Sequence, residues 1–200
     1  MDLIDSLIAE GWLKTPSIIN AFKKVKRADF LPKEMENLAE LDEALSIGFN
    51  QTISQPLTVA FMLELLQPKL GDKVLDIGSG SGWTSALLAE IVGKEGKVIA
   101  LEIIHELKEL GQNNAFKYKG NIDFICANGF KGYLKEAPYD RILASASLQE
   151  ELQKFWKEQL KIQGIIVTPI KNSIWMFKKG LPDQEFEKTE YPGFAFVPFI

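Results

Sequence analysis

Three closely spaced glycines separate an apolar run from a helical pattern, in the stretch Asp76-Ile77-Gly78-Ser79-Gly80-Ser81-Gly82. Residues 73–77 are short and rich in β-branched side chains, which is typical of a buried parallel strand, and residues 83–92 follow with helical periodicity. Glycines at such a joint let the chain turn sharply and leave the first amides of the helix facing a ligand. The stretch predicts a nucleotide-cradling turn, although a tight turn without any ligand has the same local signal.

The spacing of these glycines narrows the choice of ligand. The dinucleotide fingerprint is G-x-G-x-x-G, whereas here the third glycine comes one residue early, which disfavours NAD and FAD. Asp76 precedes the turn, and a second predicted strand at residues 97–101 ends in Glu102, which is placed to accept hydrogen bonds from both hydroxyls of a ribose. The pattern resembles the D-x-G-x-G-x-G motif of class I S-adenosylmethionine (SAM)-dependent methyltransferases, and the resemblance implies SAM as the cofactor.

Asn128 and Gly129 follow the third predicted strand. In open α/β sheets ligands bind outside the carboxyl ends of the strands, so the side-chain oxygen of Asn128 could accept from the exocyclic amine of an adenine. An Asn-Gly pair is also a strong turn signal by itself, and the two interpretations stay open. The predicted cofactor-binding residues are Asp76, Gly78, Ser79, Gly80, Gly82, Glu102, Asn128 and Gly129.

Composition and charge exclude several classes of function. The 200 residues are 46% hydrophobic and 25% charged, which predicts one globular domain with a sizeable core. The longest apolar runs are broken by charge and the first residues lack a signal-peptide pattern, so we expect a cytoplasmic protein with no membrane partner. One histidine, His105, and one cysteine, Cys126, give no basis for a zinc site or any other metal site, and Cys126 is predicted to lie in the core.

The net charge of −4 counts against a nucleic-acid partner. The densest basic run, at residues 23–27, is better explained as the solvated C-terminal end of a helix.

The elements that must position these residues alternate along the chain. Residues 2–10 predict a helix, Thr15 and Pro16 begin a second one with Thr15 as its cap, and residues 41–53 predict a loop. After a third helix that begins near Pro56, strands alternate with helices, which implies a parallel, doubly wound sheet. The predicted strands are residues 73–77, 97–101, 121–126, 139–144 and 164–168, followed by an antiparallel edge pair at 173–177 and 194–199.

The predicted fold class is therefore α/β: a doubly wound, Rossmann-like sheet of the SAM-methyltransferase type. It is mostly parallel with an antiparallel edge, and helices precede it. We expect residues 1–200 to form a single domain, in which residues 1–55 supply N-terminal helices and a substrate-side loop and residues 56–200 supply the Rossmann-like core.

Four further motifs make the resemblance more specific. The sequence Q-T-I-S-Q-P at residues 51–56 resembles the Q-T-I-S-x-P signature of protein-L-isoaspartate O-methyltransferases. R-A-D-F-L-P at 27–32 is similar to that family's R-A-x-F-V-P, Ile47-Gly48 to its P-I-G element, and A-F-V-P-F at 195–199 to its terminal F-V-P-L. The similarity covers residues 18–200, and the combination of Q-T-I-S-x-P with the terminal F-V-P is specific to the family.

This resemblance implies transfer of a methyl group from SAM to the free α-carboxylate of an L-isoaspartyl residue in a damaged protein or peptide. The ester then collapses to a succinimide that reopens partly to normal aspartate, which is protein repair. By the same resemblance Ser54 is the catalytic residue that contacts the acceptor carboxylate, Thr52 and Ile53 shape the pocket, and the backbone near Val197 holds the substrate chain. Ser54 could also cap the helix that follows it, and the two roles can coexist. We expect a monomer.

The chain departs from the family pattern at several positions. Asn50 stands where the family generally has glycine, Asn128 where it has aspartate, and Ala195 where it often has arginine. The family's G-A-A-P-like loop is here Ala144-Ser145-Ala146-Ser147. Two alternatives therefore stay open: a methyltransferase of the same fold with another acceptor, such as a small-molecule carboxylate or RNA, and a non-catalytic SAM-binding module.

Overall fold

The structure, a computed structural model, describes residues 2–181 and 184–199. The α-helices of this part are α1 (Leu3–Ala9), α2 (Pro16–Lys24), α3 (Pro56–Leu66), α4 (Trp83–Val92), α5 (His105–Phe116) and α6 (Lys154–Gln159). The strands are β1 (Leu45–Gly48), β2 (Gln51–Ile53), β3 (Lys73–Ile77), β4 (Lys97–Glu102), β5 (Ile122–Cys126), β6 (Tyr139–Ala144), β7 (Leu160–Ile170), β8 (Ser173–Lys178) and β9 (Glu187–Pro192). None of the described helices is both long and apolar enough to cross a membrane.

A seven-stranded sheet with the order β5-β4-β3-β6-β7-β8-β9 forms the centre of the molecule. Strands β5 to β7 pair in parallel, and β8 and β9 add an antiparallel edge. The chain runs outward in opposite directions from β3 and β6, so these neighbours mark the switch point at which doubly wound sheets bind ligands. The predicted fold class, α/β with a mostly parallel Rossmann-like sheet and an antiparallel edge, is confirmed.

Hydrophobic side chains alternate between the two faces of the sheet with the period of two that strands impose. One face packs against α1 to α5 through residues such as Val74, Val98, Leu143 and Val167. The other packs against α6 through Leu75, Ile99, Ile142 and Ile166. Because both faces are covered, the carboxyl ends of β3 and β4 are held in fixed positions beside each other.

The predicted loop at residues 41–53 contains a β-hairpin instead, in which β1 and β2 pair with Leu45 opposite Ile53. Its two-residue tip is Phe49 and Asn50, both with positive φ (54° and 57°), as a tight hairpin turn requires. Asparagine is the residue after glycine that most readily adopts this conformation, which explains how Asn50 serves where the family has glycine. Strands of four and three residues are too short for their alternation to be recognised.

One strand of the predicted antiparallel edge pair is confirmed, and its predicted partner is wrong. Residues 173–177 lie in β8, but their partner is β9 and not residues 194–199. Strand β9 is exposed along nearly its whole length and polar, so hydrophobicity gives no signal for it. Gly193 (φ 97°) turns the chain out of the sheet, and the residues that follow cross the carboxyl ends of the strands.

The predictions for two side chains, those of Cys126 and Thr15, are wrong. Cys126 is exposed rather than in the core, because β5 is the edge strand of the sheet. Thr15 occupies the N-cap position of α2 without capping it. Its hydroxyl instead donates to Glu64 of α3 (2.7 Å), and that carboxylate also accepts the backbone N–H groups of Lys14 and Thr15.

Candidate active site

A cavity of about 590 Å³ lies at the carboxyl ends of β3 and β4, beside the switch point. This volume is in the range of pockets for cofactors and small ligands. Its wall combines the glycine turn, the end of the hairpin, the loops after β4, β5 and β6, and the C-terminal segment. The residues that concern us are Asp42, Glu43, Thr52, Ile53, Ser54, Gly78, Ser79, Gly80, Trp83, Glu102, Ala127, Gly129, Ser145, Ala146 and Val197.

The glycine turn has the conformation that its sequence predicts. Gly78, Gly80 and Gly82 all have positive φ (80°, 50° and 85°), and the amides of Gly78 and Ser79 donate to the carbonyl of Leu101 in β4. Gly78 and Gly80 line the cavity. Gly82 is not part of its wall. A Cβ at Gly82 would lie 2.6 Å from the carbonyl oxygen of Gly111 in α5. Gly82 therefore serves the close packing of the turn on α5 rather than direct contact with a ligand.

Glu102 reaches the cavity from the end of β4, as the sequence predicts. Its Oε2 accepts the amide of Gly80 (2.9 Å) and its Oε1 accepts the amide of Ile104 (3.0 Å), and the side chain is buried. These bonds fix the carboxylate against the wall, and each oxygen retains a further lone pair. The geometry thus supports the proposed hydrogen bonds to two ribose hydroxyls.

Asp76 does not line the cavity. The residue is completely buried, and the hydroxyl of Ser85 in α4 donates to its Oδ2 (2.5 Å), whereas Oδ1 has no partner among the described residues. Strand alternation explains the position, since Asp76 shares the face of β3 that packs against α4. Burial raises the pKa of Asp76 to about 7, the charge of Glu102 adds to this effect, and the bond from Ser85 opposes it. Asp76 lies behind the wall of the cavity, so its role in holding the cofactor stays a prediction.

We expect Asp76→Asn to remove part of the pH dependence of stability. The unfolded chain loses the proton of this carboxyl near pH 4 and the folded chain near pH 7, so between these values the free energy of unfolding falls as pH rises. The amide of the variant does not titrate and still accepts the bond from Ser85. Urea unfolding at about pH 5 and about pH 8 should give a smaller loss for the variant than for the unmodified protein. Equal losses would contradict the buried, titrating carboxyl.

Asn128 is exposed and its side chain is not part of the wall. Its Oδ1 accepts the amide of Phe130 (2.8 Å) and so caps the short 3-10 turn at Gly129–Lys131. The structure therefore favours the turn interpretation of the Asn-Gly pair over recognition of adenine by Asn128. Its neighbours Ala127 and Gly129 do line the cavity, so Gly129 remains a candidate for backbone contact with the cofactor.

Ser54 lies in the cavity wall at the end of the hairpin, together with Thr52 and Ile53. The alternative role of Ser54 as an N-cap is wrong, because the N-cap residue of α3 is Gln55 and its side chain makes no capping bond. Asp42 caps the helix from a distance instead: its Oδ1 accepts the amide of Leu57 (2.8 Å) and its Oδ2 accepts the side-chain amide of Gln55 (3.0 Å).

We expect Asp42→Ala to lower the free energy of unfolding by about 1 kcal/mol, the usual contribution of an N-cap acceptor. Asp42→Asn is the matched control, because it keeps an oxygen that can accept from Leu57. Thermal and urea unfolding of both variants should separate them, with the asparagine variant close to the unmodified protein. A loss of the same size in both would mean that the charge of Asp42 or its bond from Gln55, and not its capping bond, stabilises the fold.

Arg27 is a structural residue of the site that the sequence did not reveal. It is buried, unlike Lys23, Lys24 and Lys26 of the same basic run, so the prediction of a solvated run fails at Arg27. Burial lowers its pKa to about 10, which leaves the guanidinium charged at neutral pH. It donates to four backbone carbonyls, those of Ala39 (3.2 Å), Leu41 (3.0 Å), Glu43 (2.7 Å) and Ser54 (3.3 Å).

The guanidinium of Arg27 also lies 5.5 Å from the ring centre of Trp83, a residue of the cavity wall that the sequence analysis did not assign to the site. One cation thus connects the approach to the hairpin, the position of Ser54 and the first residue of α4.

The C-terminal segment, residues 194–199, contributes residues 195–199 to the cavity wall. Ser147 donates its amide to the carbonyl of Val197 (2.8 Å) and accepts the amide of Phe199 (2.9 Å), which fixes the segment to the loop after β6. Phe194 stacks on Phe61 of α3 with ring centres 5.4 Å apart. Val197 therefore lies in the wall, where the sequence predicts a contact with substrate backbone.

The charged side chains of the wall are all acidic in the part of the chain that the structure describes: Asp42, Glu43 and Glu102. Two buried polar atoms of wall residues, Ser79 Oγ and Trp83 Nε1, have no hydrogen-bond partner among the described residues. A ligand that carries positive charge and polar groups fits such a wall, since buried polar atoms normally find partners.

Comparison with known proteins agrees with this geometry. The family model described as protein-L-isoaspartate(D-aspartate) O-methyltransferase matches residues 1–200. The protein-L-isoaspartate O-methyltransferase of Methanopyrus kandleri is 39% identical over 204 residues, covering 99% of this chain and 89% of its own. Protein-L-isoaspartate O-methyltransferase 2 of Archaeoglobus fulgidus is 45% identical over 185 residues, covering 90% and 84%.

A solved structure of a Plasmodium falciparum protein of the same name, in complex with S-adenosyl-L-homocysteine, superposes with a TM-score of 0.86 at 22% identity. The match covers 99% of this chain and 96% of that one, and at this identity it shows a common fold. The family model and the archaeal relatives go further than the fold, because both cover most of the sequence. The chain belongs to the protein-L-isoaspartate O-methyltransferase family.

Proposed function

We propose that this protein transfers the methyl group of SAM to the free carboxylate of L-isoaspartyl residues in damaged proteins or peptides. One observation carries the proposal: the end of the Q-T-I-S strand, with Ser54, faces the same cavity as the glycine turn and the terminal F-V-P segment. The relatives from Methanopyrus kandleri and Archaeoglobus fulgidus are named for this activity, and the Plasmodium falciparum structure holds S-adenosyl-L-homocysteine, the product that SAM leaves after transfer.

The residues of the cavity fit SAM. Its sulfonium and ammonium groups are cationic, and the charged residues of the described wall are carboxylates. Glu102 would hold the ribose, the positive-φ backbone of Gly78 and Gly80 would admit the cofactor closely, and the unpaired Ser79 Oγ offers a polar partner. When bound, SAM supplies an electrophilic methyl group.

Methyl transfer to a carboxylate requires little from the protein beyond binding and orienting the two reactants. A carboxylate with an ordinary pKa near 4 is already an anion at neutral pH, so the acceptor needs no general base. Ser54 would donate a hydrogen bond to one carboxylate oxygen and so direct the other at the methyl carbon. Such alignment can lower a barrier by about 7–11 kcal/mol at most. The hairpin and the C-terminal segment, which both line the cavity, would exclude water.

A matched pair of peptides tests the proposal. One carries L-isoaspartate and the other normal L-aspartate at the same position, and both are incubated with the enzyme and methyl-labelled SAM. We expect base-labile label on the isoaspartyl peptide alone. Label on neither peptide, with SAM binding measured by calorimetry, would refute the acceptor and leave cofactor binding intact.

The proposal extends to the organisation of the chain. Residues 1–200 act as one domain, which is supported by the packing of the N-terminal helices into the same hydrophobic cluster as α3, α4 and one face of the sheet. An edge-to-face contact between Phe22 of α2 and Trp83 of α4, at 5.6 Å, belongs to this cluster. We expect a cytoplasmic location, because an exposed thiol such as that of Cys126 stays reduced in that compartment. We also expect a monomer, and size-exclusion chromatography with light scattering tests its mass.

A further inference from the structure

Asn128 is the one asparagine of the sequence that is followed by glycine. Its side chain is exposed, in the loop that leaves β5, and its neighbours Ala127 and Gly129 both line the cavity. The pair therefore combines solvent access with a position at the rim of the candidate active site. The capping bond to Phe130 explains the turn, and this bond has to open before the side-chain amide can react with its own backbone.

An Asn-Gly pair is the sequence most open to deamidation, because glycine has no side chain to hinder the approach of its amide nitrogen. The nitrogen of Gly129 attacks Cγ of Asn128, the bond from Cγ to the side-chain nitrogen breaks, and ammonia leaves as the five-membered succinimide closes. Water then adds to one of the two ring carbonyls. Addition at one opens the ring to aspartate, and addition at the other opens it to isoaspartate.

We propose that Asn128 is a self-modification site: it deamidates to isoaspartate at the cavity rim, and a second copy of this protein methylates that residue. The inference rests on the proposed function for its second step only. Methylation in turn regenerates the succinimide with loss of methanol, so repeated cycles convert isoaspartate at position 128 to normal aspartate.

The surroundings of Gly129 imply that isoaspartate and aspartate at position 128 have different effects on the cavity wall. Isoaspartate routes the backbone through the side chain and adds one methylene before Gly129. That glycine has no room to move toward the sheet, because a Cβ on it would lie 2.3 Å from Cγ2 of Ile77, and its carbonyl accepts the indole N–H of Trp156 (2.9 Å). The extra methylene must therefore displace the cavity wall.

Normal aspartate leaves the backbone unchanged, and its carboxylate can still accept the amide of Phe130. We therefore expect isoaspartate at position 128 to weaken SAM binding by about tenfold or more, the scale expected when a site is displaced by about 1 Å, and aspartate to leave it nearly unchanged.

The repair step must occur between molecules. The neighbours of position 128, Ala127 and Gly129, form part of the wall of their own cavity, so this segment cannot also enter that cavity as a substrate. Its carboxylate has to enter the cavity of another copy, after the loop opens locally. The rate of labelling should therefore rise with the concentration of fresh enzyme added to aged protein.

The experiment ages the purified protein without SAM at mildly alkaline pH and follows the peptide that contains residue 128 by mass spectrometry. We expect a gain of about 1 Da, with a new negative charge, and isoaspartate detected by fragmentation of that peptide. Fresh enzyme with labelled SAM should then label this peptide with a base-labile ester, raise its ratio of aspartate to isoaspartate, and restore SAM affinity. Asn128→Gln is the matched control, since its ring closure is six-membered and slow.

Three results would overturn the inference. They are no mass gain at residue 128 after long ageing, equal labelling of aged Asn128→Gln protein, and label found only at other positions. An isoaspartyl peptide included in each assay separates the two proposals. If the peptide is not methylated, the proposed function fails and the repair step with it, while fragmentation still decides whether Asn128 forms isoaspartate. The Asn128→Asp variant is expected to bind SAM with an affinity close to that of the fresh protein. This result would show that the added charge alone does not weaken binding.

Discussion

Replacement of Gly80 by valine is expected to reduce the affinity for SAM by at least about 100-fold, which corresponds to about 2.7 kcal/mol. A β-branched residue at a φ of 50° has a strained backbone, and such strain costs about 1–3 kcal/mol. The Cβ would also lie 3.4 Å from Cδ1 of Ile47, so the methyl groups beyond it would push the hairpin away from the turn. The amide of Gly80, which holds Glu102, would move with the strained backbone.

Calorimetric titration of SAM into the variant measures this loss, and Gly71→Val is its matched control. Gly71 also has a positive φ (83°), but no heavy atom lies within 4 Å of a Cβ at that position, and it precedes β3 rather than following it. The control should be destabilised by a similar backbone cost and still bind SAM. Unchanged binding in Gly80→Val would contradict the placement of the cofactor, and equal loss in both variants would indicate a general effect of destabilisation.

The centre of the fold could be predicted because buried parallel strands carry their signal locally. Residues 73–77 and 139–144 are strands within the same bounds in the structure, and residues 83–92 form a helix as expected. Both strands contain consecutive apolar residues, Val74-Leu75 and Ile142-Leu143-Ala144, as expected where both faces of a strand are covered. The position of the cavity then follows from the topology alone, at the carboxyl ends beside the switch point.

The parts that escaped prediction depend on partners distant in sequence. The four carbonyls that accept from Arg27 lie between 12 and 27 positions after it in the sequence. No local sequence pattern predicts hydrogen bonds over such separations. The cap of α3 likewise comes from Asp42, 15 residues before the amide that it accepts. A search for a capping side chain next to the helix, which suggested Ser54, could not have found it.

Asp76 shows that a motif predicts the residue type better than the direction of its side chain. A strand places successive side chains on opposite faces, so Asp76 and Ile77 at the end of β3 face different layers of the fold. The alternation of Val74 and Asp76 with Leu75 and Ile77 was available in the sequence and would have assigned Asp76 to the α4 face.

Ser54→Ala is expected to reduce kcat/KM on an isoaspartyl peptide by about 10- to 100-fold, since a hydrogen bond to a charged group contributes about 1.5–3 kcal/mol. The affinity for SAM should stay within about twofold, because the described hydrogen bonds of Glu102 and of the glycine turn do not involve Ser54. The fold should be unaffected as well: Asp42 caps α3, and the interaction of Ser54 with Arg27 is made by its backbone carbonyl, which alanine retains.

Ser46→Ala on the same hairpin is the matched control for this variant. Ser46 lies opposite Thr52 in the β1–β2 pair, is exposed and is not part of the cavity wall, so its loss should change neither rate nor affinity. Initial rates with labelled SAM and calorimetry on both variants give the comparison. If SAM affinity falls as much as the rate in Ser54→Ala, the hydroxyl supports the cavity as a whole. If only the rate falls, the hydroxyl acts on the acceptor, because a carboxylate that needs no base depends on the group that aligns it.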